Sequence, residues 1–310
     1  MKAVQYHSYG VTDVLVYEDA DRPEPGAGQV LVKVAGAAFN PVDASIRAGY
    51  FPEVFPLVMP HIPCYDVAGT VAEVGEGVTG WTAGDTVLAF LPIAGRGAAA
   101  EYVVAPAEAL AAAPRTGDLA DAAALPSVGL TAWQALFEQV GLKPDQTILI
   151  NGAGGAVGAY AVQLAVRAGA VVTATASARS RDRIQSYGVD RIIDYTETPL
   201  YEAVTGQRFD VVLNLVPPSP EDLTRLLDLV VDGGAFANTI PPGPESSLRD
   251  IRICQVFGRS DAEQLAELVN RVDAGELAIY LAQRRPLVDL RAIHEEAAAG
   301  QLPGKTVLIP

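Results

Sequence analysis

Histidine and cysteine are scarce in this 310-residue sequence, which has three of the first and two of the second. Cys64 and Cys254 are too few for a disulfide framework or a four-cysteine zinc site. Lysine is rare as well, at Lys2, Lys33, Lys143 and Lys305, and 37 acidic residues against 22 basic ones leave a formal net charge of -15. Phosphates are repelled on average, so the chain is not expected to take nucleic acid as a partner. No apolar run reaches the roughly 20 residues of a membrane helix, so no membrane partner is expected. Residues 1–7 lack the apolar core of a signal peptide, so a cytoplasmic location with reduced thiols is expected. Gly-x-Ser-x-Gly is missing, and no Ser/His/Asp or Cys/His hydrolase constellation stands out. The 29 glycines and 22 prolines have no period, which excludes collagen-like and low-complexity chains.

Half the residues are apolar and 19% are charged, enough for the cores of two domains. The first third reads as short strands at 30–34, 67–75, 85–90 and 101–104, separated by Gly/Pro turns. That pattern predicts a compact β-rich domain such as a partly closed barrel. The pattern changes near residue 120. A helix is expected over 126–140, with Gly141 as its stop. Strands are expected at 147–150, 170–175, 191–193, 209–214, 235–240 and 251–256. Helices are expected at 156–167, 179–187, 220–231 and 261–273. This alternation predicts an α/β fold with a doubly wound parallel sheet. The last ~40 residues are too few for a domain and are expected to return to the first one.

The strongest local signal runs Ile148-Leu149-Ile150-Asn151-Gly152-Ala153-Gly154-Gly155-Ala156-Val157-Gly158. A buried strand enters a glycine-rich turn and then a helix, the context a dinucleotide fingerprint requires. Gly155 would let the backbone approach a pyrophosphate, and Gly158 would let helix and strand pack closely. The helix N-terminus offers free N–H groups to the anion. An NAD-type site usually ends the next strand in an acidic residue. Here Thr175-Ala176-Ser177 carries none, and Arg179, Arg181 and Arg183 follow. Guanidinium groups suit a 2′-phosphate that a carboxylate would repel. Arg183 is the weakest candidate, a turn further into the helix.

The whole chain resembles the zinc-independent medium-chain dehydrogenases/reductases of the quinone oxidoreductase type. Asn40-Pro41-Val42-Asp43 is similar to that family's Asn-Pro-x-Asp segment. Asp66-x-x-Gly69-x-Val71-x-x-Val74-Gly75 and Gly84-Asp85-x-Val87 resemble its first-domain glycine pattern. Leu130-Thr131-Ala132, Asp194-Tyr195 and Gly304-Lys305-Thr306-Val307-Leu308 resemble further family segments. The resemblance implies a GroES-like β-rich domain at 1–122 and 258–310, and a Rossmann domain at 123–257. It implies NADPH as cofactor and a small-molecule quinone or enone as substrate, reduced in an interdomain cleft. Ala153, Gly154, Gly155, Ala156, Val157, Gly158, Thr131, Ser177, Arg179, Arg181, Tyr195, Asn214 and Thr239 are the candidate cofactor residues. Three departures stand out. Ala156 replaces a common glycine, Cys64-Tyr65 replaces a Gly-x pair, and Asn214 lies where a related strand often ends in Asp.

Zinc members of the superfamily carry a Cys early in the chain and a Gly-His-Glu further on. Here those positions read as residues 40–43 and Cys64-Tyr65-Asp66. His61, Cys64 and Asp66 form the sole metal-like group, and it lacks a fourth donor, so no metal is expected. Without a metal, oxyanion charge on an enone needs a protic donor. Tyr50 is the candidate, with Asn40 to hold the substrate or the nicotinamide. Strand 251–256, last in the alternation, predicts an exposed sheet edge and a homodimer formed across it. Two alternatives stay open: an enoyl-thioester reductase, and a non-enzymatic NADPH-binding protein acting as a redox sensor or structural component.

Overall fold

The computed structural model describes residues 1–50, 52–53, 56–240 and 249–310. The chain divides into two compact units, one of Met1–Ser127 with Arg259–Pro310 and one of Val128–Gly258.

In the first unit, β1 (Lys2–Gln5) and β2 (Val16–Asp19) pair antiparallel. The main sheet is built on β3 (Gln29–Ala38), with β4 (Asp66–Val74), β5 (Thr86–Phe90), β6 (Tyr102–Pro106) and β7 (Leu110–Ala112). β3 pairs with β4 and β6, β4 with β5, and β5 with β7, all antiparallel. A short helix, α1 (Pro41–Arg47), follows β3.

β3 runs well past the expected 30–34. Its second half, Ala35-Gly36-Ala37-Ala38, lacks the β-branched residues that mark a strand. Small residues are needed there because the 3₁₀ segment Leu119–Ala124 lies against it. A Cβ on Gly36 would sit 2.5 Å from the Ala120 carbonyl oxygen.

The chain enters the second unit through α2 (Pro126–Trp133). The helix expected over 126–140 changes pitch at Gln134 and continues as a π-helix over Gln134–Gln139. Next come β8 (Thr147–Asn151), α3 (Ala156–Arg167), β9 (Val171–Ala176), α4 (Ala178–Ser186), β10 (Arg191–Asp194), α5 (Leu200–Ala203), β11 (Phe209–Asn214), α6 (Pro220–Asp228), β12 (Val230–Asn238) and β13 (Arg252–Gln255). Among the described residues the six strands are parallel, in the order β10-β9-β8-β11-β12-β13. This is the doubly wound sheet that the alternation predicts, and β13 is its edge.

The helix expected over 220–231 is shorter than predicted. It ends at Asp228, and Val230 and Val231 open β12. Val230 is fully buried in a cluster with Phe209, Leu226 and Phe236. The Phe209/Val211 register shift then accommodates the residues before Ala235.

Past the second unit, α7 (Ala262–Asp273) is capped by the Asp261 carboxylate, which accepts from the Gln264 N–H at 3.0 Å. β14 (Gln283–Pro286), α8 (Leu290–Ala298) and β15 (Thr306–Ile309) finish the chain. β15 pairs antiparallel with β3, placing Val307 opposite Ala38. The C-terminal residues therefore complete the first sheet. No helix among the described residues is long and apolar enough to cross a membrane.

Candidate functional site

The glycine-rich turn joins β8 to α3. Gly155 is the N-cap of α3, and no side chain caps it. The first amides of the helix are left without a side-chain acceptor, which suits an anion. A Cβ on Gly158 would lie 2.5 Å from the Gly152 carbonyl oxygen and 2.6 Å from the Ala153 Cα, so only glycine lets the helix sit on the turn. A Cβ on Gly155 would meet only the Gly152 oxygen, at 3.4 Å. That side of the turn is open, and it fits a dinucleotide pyrophosphate. Ala153 is buried behind the turn, while Gly154, Ala156 and Val157 are half-buried. Arg183 Nη2 donates to the Gly154 carbonyl at 2.8 Å, which ties α4 to the turn.

β9 brings Thr175 beside this turn and ends without a carboxylate. Arg179 is exposed on the first turn of α4. Arg181 is partly committed: its Nη2 lies 3.5 Å from Asp194. The Thr196 hydroxyl and amide hold the Asp194 carboxyl below the usual range, and Arg181 adds to this. Ser177 occupies the N-cap of α4, but its side chain makes no cap bond. Tyr195 is exposed just after β10. Thr131 is half-buried in α2. Thr239 donates its N–H to the Asn214 carbonyl at 3.2 Å.

Asn214, an expected cofactor contact, has its side chain turned inward. It is fully buried. Its amide donates to the Val216 carbonyl at 2.8 Å and to Asn238 Oδ1 at 3.0 Å, and its oxygen accepts from Asn151 at 2.8 Å. Both amide hydrogens are used within the protein, so the side chain holds the strand ends together.

The first unit buries a charged cluster. Lys305 Nζ donates to Asp66 Oδ2 at 2.8 Å and to Asn40 Oδ1 at 2.7 Å. Asn40 Nδ2 donates to Asp66 Oδ2 at 2.9 Å. Ser127 donates its N–H to Asp66 Oδ1 at 2.7 Å and its hydroxyl to Asp66 Oδ2 at 2.6 Å. Asp43 accepts from the backbone N–H groups of Asn40 at 2.8 Å and Cys64 at 2.9 Å. Burial pushes the Asp43 carboxyl up to about 7, against the pull of those two amides. Asn40, expected to hold substrate or nicotinamide, is therefore turned into this cluster. It caps α1 and anchors Lys305 instead of presenting its amide outward.

The residues around Cys64 do not fit a zinc ion. Cys64 sits at φ 70°, the left-handed region that favours glycine. Burial holds its thiol well above the ordinary range, so a thiolate ligand is disfavoured. His61 Nε2 is 2.9 Å from the Tyr65 hydroxyl, and burial lowers the imidazole to about 4. The Lys305 ammonium already occupies the Asp66 carboxylate. Among the described residues, no three His, Cys, Asp or Glu side chains are grouped to hold a metal. Tyr50, the candidate proton donor, follows α1 and is 73% exposed.

Sequence reasoning missed Ser127 as a partner of Asp66, and it read Lys305 only as part of a terminal strand. The available signal was a rare lysine set in an apolar, β-branched segment. It also missed that three strands, Thr147–Asn151, Phe209–Asn214 and Val230–Asn238, all end in asparagine.

Comparison with known proteins adds to this geometry. Residues 26–115 match the alcohol dehydrogenase GroES-like domain, and residues 187–308 match the zinc-binding dehydrogenase domain. A chloroplast envelope quinone oxidoreductase homolog from Arabidopsis thaliana is 34% identical over 100% of this chain and 98% of its own length. An NADPH-dependent alkenal/one oxidoreductase from the same plant is 38% identical over 70% of this chain and 57% of its own. The solved quinone oxidoreductase of Coxiella burnetii is 27% identical, covers 100% of this chain and 99% of its own, and superposes with a TM-score of 0.88. The chain belongs to the quinone oxidoreductase-like family of medium-chain dehydrogenases/reductases, and its role is that of an oxidoreductase.

Proposed function

We propose that the chain is an NADPH-dependent reductase that delivers hydride to a quinone or an α,β-unsaturated carbonyl without zinc. The observation that carries this reading is the open N-terminus of α3 at Gly155, set beside a β9 that ends in Thr175-Ala176-Ser177 with no carboxylate and leads into the exposed Arg179. The amides of Ala156, Val157 and Gly158 would hold the pyrophosphate. Arg179 and Arg181, with Ser177 and Tyr195, would take the 2′-phosphate. The nicotinamide supplies the hydride when bound. Relatives named as quinone and alkenal/one oxidoreductases support both the cofactor and the substrate class.

This chain's own task is then to manage charge. Negative charge building on an enone oxygen needs a donor. Tyr50 Oη is the candidate. A hydroquinone anion needs less help, because water can protonate it. The zinc-free part of the reading rests on Lys305, whose ammonium neutralises Asp66 where a dication would be repelled. A carrier-borne enoyl thioester would favour a basic approach surface, and the net charge of -15 favours a small free substrate.

The test is nucleotide consumption over a panel of quinones, enones and enoyl thioesters, with NADPH and NADH in parallel and metal analysis of the same sample. Turnover of quinones or enones with NADPH, in protein free of zinc, is the expected result. Preference for enoyl thioesters selects the second enzymatic reading, and tight NADPH binding without turnover selects a non-enzymatic one. About one zinc per chain, lost together with activity on chelation, overturns the metal-free mechanism. The same reading pairs two copies through the β13 edge, so light scattering should report a dimer at micromolar concentration.

A further inference from the structure

Asparagine is a poor strand former, yet β8, β11 and β12 each end on one. Asn151 stands in register with Asn214, and Asn214 with Asn238. Thr175 of β9 extends the row on one side. Gln255 of β13, in register with Asn238, extends it on the other and donates to the Asn238 carbonyl at 2.9 Å. The row lies at the carboxyl ends of the parallel strands, the end at which open α/β sheets bind ligands.

Its hydrogen bonds run in one direction. The Gly152 N–H donates to Thr175 Oγ1 at 2.8 Å, and the Thr175 hydroxyl donates to Asn151 Oδ1 at 3.0 Å. Asn151 Nδ2 donates to Asn214 Oδ1 at 2.8 Å, and Asn214 Nδ2 donates to Asn238 Oδ1 at 3.0 Å. Asn238 Nδ2 ends the row on the Ile240 carbonyl. Two backbone carbonyls, Val216 and Ile240, can only accept, and they fix which end of each amide is nitrogen. Turning one amide over would set oxygen against oxygen. The Thr175 hydrogen must then point to Asn151, which leaves its lone pair for the Gly152 N–H. Thr175, Asn214 and Asn238 are all buried, so a misaligned row could not be rescued by water without cost.

We propose that this row positions the glycine-rich turn for the pyrophosphate, with Thr175 as the positioning residue acting through Gly152. The inference rests on the reading that the turn binds a nicotinamide dinucleotide. It assigns a binding task to asparagines whose side chains bond within the protein.

The experiment measures NADPH affinity of the full chain by fluorescence titration for wild type, Thr175→Val, Thr175→Ser and Asn214→Asp, together with the melting temperature of each without nucleotide. Thr175→Val keeps the shape and strand preference and removes the hydroxyl, so NADPH affinity should fall about tenfold. Thr175→Ser restores the hydroxyl and should bind within about twofold of wild type. Asn214→Asp keeps the shape, cannot donate when ionised, and should weaken binding in the same direction. If Thr175→Val does not fold, Asn214→Asp is read in its place. A lower melting temperature with unchanged affinity in the folded variants would show that the row is only structural, and would overturn the inference. Wild type that binds neither NADPH nor NADH overturns the nucleotide reading itself, and this inference with it.

Discussion

Both units bury a network of polar side chains, but the two networks differ in charge and in reach. The cluster of the first unit joins residues far apart in the chain: Lys305 meets Asp66 across 239 positions. It contains an ammonium and two carboxylates. The row of the second unit is neutral, and its members sit on adjacent strands. A buried ion pair is strongly destabilising to break on one side, because a bare charge remains. A broken neutral amide contact costs only the desolvation of the orphaned groups. The first network is therefore suited to closing a fold, by fastening the C-terminal strand to the loop after β3. The second is suited to fine placement of a turn.

The sharpest test of that contrast is Lys305→Met. It leaves Asp66 buried with only Asn40 and Ser127 as donors and should cost about 3–5 kcal/mol in urea unfolding. Adding Asp66→Asn to the same chain should recover a large part of the loss. A cost below about 1 kcal/mol for the single variant would erase the distinction between the two networks.

The next effect falls on the charges outside the row. Arg179→Ala with Arg181→Ala should lower the NADPH/NADH preference about a hundredfold, at roughly tenfold per charge-assisted contact. NADH use should hardly change, because the turn at Gly155 is untouched. Arg181 already leans on Asp194 at 3.5 Å, so Arg179→Ala alone should account for the larger share. A wild-type ratio in the double variant would make these arginines a solvated helix face.

The two networks also differ in how far they could be read from the sequence. The glycine turn and α3 were legible, because strand, glycines and apolar helix period lie within 20 residues and each enforces the next. The return of the C-terminus was legible from length. The second half of β3 was hidden, because Ala35-Gly36-Ala37-Ala38 is chosen for the closeness of Ala120 and not for strand preference. The end of α6 was overrun, because the two valines after it pack equally well as strand. The Asp66–Lys305 contact was invisible, since nothing local links residues that only the folded sheet brings together. The inward bonds of Asn214 were hidden too, because a polar strand end reads as a ligand contact when its neighbours on other strands are not in view.

Acid titration separates the units, because the first one buries Asp43 of its network and, outside that network, His61 and His294 of α8. Burial lowers His294 to about 3 and His61 to about 4, so both lose stability as pH falls from about 6.5. Asp43 has the opposite sign. Its carboxyl is raised to about 7, so its contribution is present at low pH and is lost as pH rises toward 7. Near pH 5.5 the unfolded chain therefore binds about two protons more through the histidines and about one fewer through Asp43. The net slope is about 1.4 kcal/mol of stability lost per pH unit on acidification. His294→Phe keeps a ring against Phe39, 4.7 Å away, and removes one of the two protons. Its urea-unfolding stability should be nearly flat around pH 5.5, and an unchanged slope would mean that His294 is already neutral in the unfolded chain or charged in the folded one.

The smallest effect concerns Tyr50, which belongs to neither network. It is 73% exposed, so any donor role is made without the rigid support given to Asn40 or Thr175. A well-placed general acid contributes about 10²–10⁴ in rate, and an unsupported one falls below that range. Tyr50→Phe should lower kcat about fivefold with an enone, whose oxyanion needs a proton. With a quinone the loss should stay within about twofold, since the hydroquinone anion leaves without acid assistance. The substrate dependence is the informative quantity. A side chain that merely covers the substrate would lose nothing in Tyr50→Phe with either class, because phenylalanine keeps the ring. An equal loss for both substrates would place the hydroxyl in binding instead of proton transfer, and the donor for the enone would have to be sought among other protic groups of the first unit.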